Sequence, residues 1–146
     1  MRAVHSNHPA TVTLLVQLGA DVEARESNGS TALMVAAYNQ YADTVLALLK
    51  CGADASASNK VGYTALHHAA ATGHKDIVRM LVDAKADIGR RDNSGRTPWL
   101  AALQINKNAG LRTLLEPDPQ KEKYLRELQR DKHAGDVAKH MLAIYR

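Results

Sequence analysis

Apolar residues recur along this chain in short helical stripes at a fixed interval. Val12, Leu15 and Val16 are followed by Val45, Leu48 and Leu49, then by Val78, Leu81 and Val82, then by Leu111, Leu114 and Leu115. The internal spacing of three and four places each set on one face of a helix. Ahead of each of the last three stripes stands a glycine-led segment: Gly29-Ser-Thr-Ala-Leu-Met-Val-Ala-Ala37, Gly62-Tyr-Thr-Ala-Leu-His-His-Ala-Ala70 and Gly95-Arg-Thr-Pro-Trp-Leu-Ala-Ala-Leu103. Their glycines are 33 residues apart. A third marker keeps the same step, as Gly19-Ala-Asp21, Gly52-Ala-Asp54 and Lys85-Ala-Asp87. Three markers in one register predict a repeated supersecondary unit.

Each unit reads as a helix pair followed by a projecting loop. Thr31, Thr64 and Thr97 stand where a hydroxyl can satisfy an orphan N–H at a helix start. Pro98 just inside the last start needs no donor there. Ala36, Ala69 and Ala102 are small enough for a neighbouring unit to nest against. Asn28-Gly29 is a turn signal, and Gly52 follows Cys51 where a C-cap glycine belongs. One unit cannot bury its stripe alone, so stability must come from stacking.

The period and the T-[A/P]-[L/W]-x-x-A pattern resemble the ankyrin repeat. Thr64-Ala-Leu-His-His-Ala-Ala70, with Gly73-His74 and Ile77-Val78, carries the resemblance most fully. Gln40-Tyr41 and Asn106-Lys107 depart from it where Gly-His is usual, and Trp99 replaces a Leu. The resemblance implies an all-α solenoid of stacked helix–turn–helix units with projecting β-turn loops. The expected organisation is an array over residues 1–116, made of a partial repeat 1–25 and repeats 26–58, 59–91 and 92–116. In this register Met1-Arg-Ala-Val4 aligns with His67-His-Ala-Ala70, so the chain is expected to start inside a first helix, as a fragment, a truncated array or a natural short cap would. Residues 11–20, which superficially resemble a signal peptide, are then a second helix.

After Leu115 the period stops at Glu116-Pro-Asp-Pro119, a helix-breaking boundary. Residues 117–146 are expected to form a degenerate capping helix pair, with Tyr124, Leu125 and Leu128 on one face of the first helix and Val137, Met141, Ile144 and Tyr145 on a final helix after Gly135. The rival reading is a separate recognition helix.

Composition and charge narrow the function. The chain has 24 Ala against 17 Leu and no Phe, which suits close helical packing better than an all-β core. The net charge of +4 divides as +2 through Glu116 and +2 after it, too mild and too dispersed for nucleic acid. The longest apolar run, Ala32 to Tyr38, is 7 residues, far short of a span, so no membrane insertion is expected. The single Cys51 excludes an intramolecular disulfide and fits a reducing, intracellular setting, cytoplasmic or nuclear.

No catalytic motif stands out: G-x-S-x-G, H-E-x-x-H, C-x-x-C and G-x-x-x-x-G-K are all missing. Asp21, Asp54 and Asp87 recur at the period, which speaks for a structural task. His67, His68 and His74 do not converge from one helix turn on a metal. Hydrogen-bonding roles are expected for His67 and His74, and a contact role for His68. Neither enzyme activity, nor a cofactor, nor a metal is expected.

What the resemblance implies instead is protein binding through loop tips and the exposed side of the first helices. Carried over position by position, the expected partner-binding residues are Arg25, Asn28, Ser30, Tyr38 and Asn39 from the first loop and helix. Lys60, Tyr63, His68 and Thr72 follow, then Arg91, Asn93, Arg96 and Gln104. Tyr38, Tyr63, Arg91 and Arg96 are the expected anchors, since Tyr and Arg dominate hot spots. Arg90, Arg91 and Arg96 around Asp92 favour a partner with an acidic segment at that end. The expected molecule is a monomeric scaffold or adaptor module. The alternative is the regulatory or substrate-recruiting segment of a larger enzyme, channel or ubiquitin-ligase complex.

Overall fold

The computed structural model describes residues 1–105. These form seven helices: α1 (Arg2–His5), α2 (Pro9–Gln17), α3 (Ala32–Tyr38), α4 (Ala42–Lys50), α5 (Ala65–Thr72), α6 (Lys75–Asp83) and α7 (Pro98–Ile105). The described residues contain no strand beyond an isolated antiparallel bridge between Arg25 and Thr31. The odd-numbered helices pack on one another in series, α1 on α3, α3 on α5 and α5 on α7. The even-numbered helices form a second layer, α2 on α4 and α4 on α6. This is the two-layer solenoid that the period predicts. The expectations for Asn106-Lys107, for the stripe at Leu111 to Leu115 and for the cap at 117–146 lie outside the described residues.

The core runs between the layers. Leu33, Ala36, Leu48, Leu66, Ala69, Leu81 and their neighbours are almost fully buried. Ala36 and Ala69 have no exposed surface at all, which fits alanine at the closest approach of successive odd-numbered helices. The threonines cap as expected. Thr31 Oγ1 accepts from Met34 N–H, Thr64 Oγ1 from His67 N–H and Thr97 Oγ1 from Leu100 N–H. The recurrent aspartates brace the helix-to-loop junctions. Asp21, Asp54 and Asp87 accept from the N–H two residues on, at Glu23, Ser56 and Gly89, over 2.8, 2.9 and 3.0 Å.

Six helix ends close in one way. After α1, α3 and α5 the chain turns through Asn7, Gln40 and Gly73, and after α2, α4 and α6 through Gly19, Gly52 and Lys85, all with positive φ. At each, paired backbone bonds reach back onto the last turn, as from Ala53 N–H to Leu48 O and Gly52 N–H to Leu49 O. Glycine takes this left-handed backbone without steric cost, whereas Gln40 (φ 63°) and Lys85 (φ 64°) hold it against their Cβ atoms.

The loop tips use glycine for a different reason. Gly29, Gly62 and Gly95 also have positive φ, and each closes a tight turn whose fold is the same in all three loops. A Cβ on Gly62 would lie 2.8 Å from Asn93 N and 2.9 Å from Asp92 Cα. The tips are therefore in backbone contact from one unit to the next. Gln40→Gly should raise unfolding free energy by about 0.5–1 kcal/mol by relieving left-handed strain. Gly62→Ala should lower it by roughly 2 kcal/mol or more through strain and clash. Urea midpoints at unchanged slope read both changes; a less stable Gln40→Gly protein would contradict the strain assignment.

Candidate functional site

The face formed by the loop tips and the odd-numbered helices is built from a hydrogen-bonded frame. Lys60 N–H donates to Asn28 O over 3.1 Å, and Asn93 N–H to Val61 O over 3.0 Å. Side chains add links at the period. Arg25 Nη1 donates to Gly29 O (3.0 Å) and to Ser58 O (2.8 Å), and Asn93 Nδ2 donates to Lys60 O (3.0 Å). Beneath the tips, Asp54 N–H donates to Glu23 Oε1 (2.7 Å) and Asp87 N–H to Ser56 Oγ (3.1 Å).

Each turn is stiffened by a short polar side chain, but not always from the same position. Asn59 Oδ1 accepts from Val61 and Tyr63 N–H, and Asp92 Oδ1 from Ser94 and Arg96 N–H. Glu26 stands at their register in the first loop. There Asn28 Oδ1 accepts from Ser30 N–H instead. The Glu26 carboxylate crosses to α1, where Oε1 lies 2.7 Å from His5 Nε2.

A ladder of rings continues along the face. Tyr38 and His68 meet edge to face at 5.6 Å, Tyr63 and His68 at 5.3 Å, and Tyr63 stacks on His67 at 5.2 Å. Arg96 covers the Tyr63 ring at 5.6 Å and donates Nη2–H to its hydroxyl at 2.9 Å. Its Nε meets the buried Asp92 carboxylate at 2.8 Å. Beside this ladder lies an open concavity of about 360 Å³. Tyr38, Asn39 and His68 form its walls with Glu26 and His5, and Met34, Val35, Ser30 and Asn28 line the rest.

The sequence-predicted contacts separate accordingly. Tyr38 (60% exposed), Asn39, Lys60 and Arg91 lie open on the surface, and His68 is half-buried at the concavity. Arg25, Asn93 and Arg96 are joined to the frame, as above. Ser30 is buried, at 5% exposure, so it offers a partner little surface. Thr72 Oγ1 turns back to His68 O and Ala69 O at 3.1 and 3.2 Å. Tyr63 sits half-buried in the ring ladder. Gln104 belongs to α7, but its side chain lies outside the described residues. Absent from that set are His5 and Glu26. His5 stands 33 residues before Tyr38, a register signal that marks it as a groove position.

The histidines divide by task. His67 is fully buried. Its Nδ1 accepts from Thr64 N–H at 3.2 Å, completing a capping box, and its Nε2 reaches Arg96 O at 3.0 Å. His74 caps α6, its Nδ1 accepting from Ile77 N–H. These are the local hydrogen-bonding roles expected of them. Among the described residues, no three His, Cys, Asp or Glu side chains gather where a metal could sit. Burial lowers the His67 pKa, outweighing the Arg96 carbonyl and Asp92, which raise it. Burial, with the neighbouring His67, lowers that of His68 to about 4.

Both imidazoles are therefore neutral in the folded protein near pH 7. Unfolded histidine titrates near pH 6.5, so below that pH the unfolded chain binds more protons and stability falls on acidification. Each such site should remove up to about 1.4 kcal/mol per pH unit between roughly pH 6.5 and its folded pKa. Chemical denaturation from pH 7 to 5 should show this slope, and His68→Gln should make it shallower. A profile that is flat, or indifferent to His68→Gln, would contradict the assignment.

A family model described as ankyrin repeats, in three copies, matches residues 1–59 and 51–124. No curated protein matches the chain closely enough to count as a relative. No described helix is long and apolar enough to cross a membrane. With the family model covering most of the sequence and the stacked helix pairs in the register it requires, the chain belongs to the ankyrin-repeat family.

Proposed function

We propose that this protein is a non-catalytic interaction module that holds an extended segment or loop of a partner protein against its tips and odd-numbered helices. The observation that carries the reading is the contrast between two sets of positions in one register. Buried frame positions repeat their chemistry, as at Thr31, Thr64 and Thr97 or Ala36, Ala69 and Ala102. The groove position two residues after each of these alanines changes from unit to unit, as Tyr38, Ala71 and Gln104, with His5 at the same register in the first. Variation on a rigid frame suits recognition, because a preformed surface avoids much of the ordering cost of binding.

The partner chemistry is uneven along the face. Lys60, Arg90 and Arg91 are exposed toward the last described loops, which supports an acidic stretch in the partner at that end. Arg96 contributes less to this field because the buried Asp92 sits against its guanidinium. The proposed setting is intracellular, the module acts as a monomer, and nucleic acid is not its ligand. The same face would serve if the array recruits substrates or regulators for a larger enzyme, channel or ligase complex.

The tagged chain should capture partner proteins that a folded Tyr38→Ala/Arg91→Glu variant loses. On the purified pair, the double variant should bind about ten- to a hundredfold more weakly, as hot-spot truncation does. The charge-reversed site should also slow association most at low salt. Equal capture by both proteins would overturn the assignment of this face.

A further inference from the structure

Among the described residues of its register, Glu26 alone has a side chain that does not brace its own loop. Asn59 and Asp92, one and two periods on, each turn their Oδ1 into their own loop and accept two backbone N–H groups. In the first loop that work passes to Asn28, and the longer Glu26 side chain lies in the concavity instead. Its Oε1 is 2.7 Å from His5 Nε2, while Oε2 has no protein partner among the described residues. A carboxylate freed in this way, at 29% side-chain exposure, is placed to accept from a ligand.

Beyond the His5 donor and the Asn28 amide, the lining offers a group beside that carboxylate a further acceptor and two ring faces. Asn39 donates its Nδ2 to Val35 O at 2.9 Å, which leaves Oδ1 as an acceptor. Tyr38 and His68 supply two rings at right angles, 5.6 Å apart, and His68 stays uncharged near neutral pH. Met34 and Val35 give the lining an apolar portion. No Lys or Arg lines the concavity. Its volume of about 360 Å³ falls within the range of roughly 300–1,000 Å³ typical of ligand clefts.

We propose that this concavity receives one basic side chain, lysine or arginine, of the partner segment. Glu26 serves as counter-ion, Tyr38 and His68 as ring walls, and Met34 and Val35 as the surface for the aliphatic stem. The chemistry follows from complementarity. A guanidinium or ammonium brings donors only, matching the two acceptors left over, Glu26 Oε2 and Asn39 Oδ1, and its charge is attracted by aromatic faces. The long stem of either residue buries well against apolar side chains while the charge stays near the opening. An acidic side chain would meet Glu26 directly, and a plain apolar one would leave Glu26 Oε2 and the Asn39 carbonyl covered and unpaired. With the basic loops further along the array, the groove acquires a polarity: a basic residue of the partner at Glu26 and acidic residues toward Arg91. The proposal rests on the groove reading above and adds to it the chemistry of one subsite.

The test is selection of a random peptide library on the full 146-residue chain. The pocket requires that the selected peptides share a Lys or Arg at one position, and that changing it to Gln weakens binding about tenfold or more. Glu26→Gln should weaken the same peptides to a similar degree, and Glu26→Arg should select Asp or Glu at that position instead. Among the described residues the Glu26 side chain bonds only to His5, so these variants should keep the parent urea midpoint. Two results overturn the pocket while leaving the groove: a peptide consensus without a basic residue, or a basic consensus indifferent to Glu26→Gln, in either case sensitive to Tyr38→Ala. Peptides indifferent to Tyr38→Ala, or no enriched peptide at all, overturn the groove and the pocket together.

Discussion

Everything in this molecule depends on contact between positions one period apart. A helix pair of this size has a single apolar stripe and too little core to hold it, so each unit is stable only against its neighbours. The layer of odd-numbered helices closes over Ala36 and Ala69, which keep no exposed surface. The loop tips close over Gly29 and Gly62, where the next unit's backbone stands within about 3 Å of a would-be Cβ. Hydrogen bonds such as Lys60 N–H to Asn28 O and Arg25 to Ser58 O then fix one tip to the next. The helices supply burial, and the tips supply alignment.

The candidate site is what this frame leaves over. Most polar groups near the tips are engaged: Arg25 and Asn93 with backbone carbonyls, Arg96 with Asp92 and Tyr63, and Thr72 with its own helix. A smaller set faces the concavity, comprising Tyr38, Asn39, His68, Glu26 and His5. His67 joins the two sets. It is buried, caps α5 and bonds to the fourth unit, yet it stacks on Tyr63 and flanks His68. The rings on the groove are thereby anchored to the core and present a preformed surface, the condition under which binding loses least to ordering.

The fold was legible in the sequence because its determinants are local and recur: glycine for a positive φ, threonine for a cap, alanine for close approach, aspartate for the junction. Asp21, Asp54 and Asp87 illustrate this, since a short acceptor two residues before an N–H needs no tertiary information. The left-handed turns at Asn7, Gln40 and Lys85 were harder to see, because the register demands that conformation while the residue type does not announce it. The site was legible as a set of positions and less so as a set of free side chains. Arg25 and Asn93 stand on the face proposed for binding, but their partners are backbone atoms a full period away. Glu26 was hidden for the opposite reason. It resembles any loop acid until Asn59 and Asp92 are seen to perform a task that it does not.

The account therefore stands on the tips being locked to one another before any partner arrives. Hydrogen exchange of the free protein, read at the Lys60 and Asn93 amides, tests this directly, since both donate only from one tip to the next. The account predicts protection of both amides comparable to that of the helix interiors, and its loss in Gly62→Ala at Asn93 first. Exchange at the rate of an unstructured chain would contradict it, because the face would then be assembled by the partner and not by the stack.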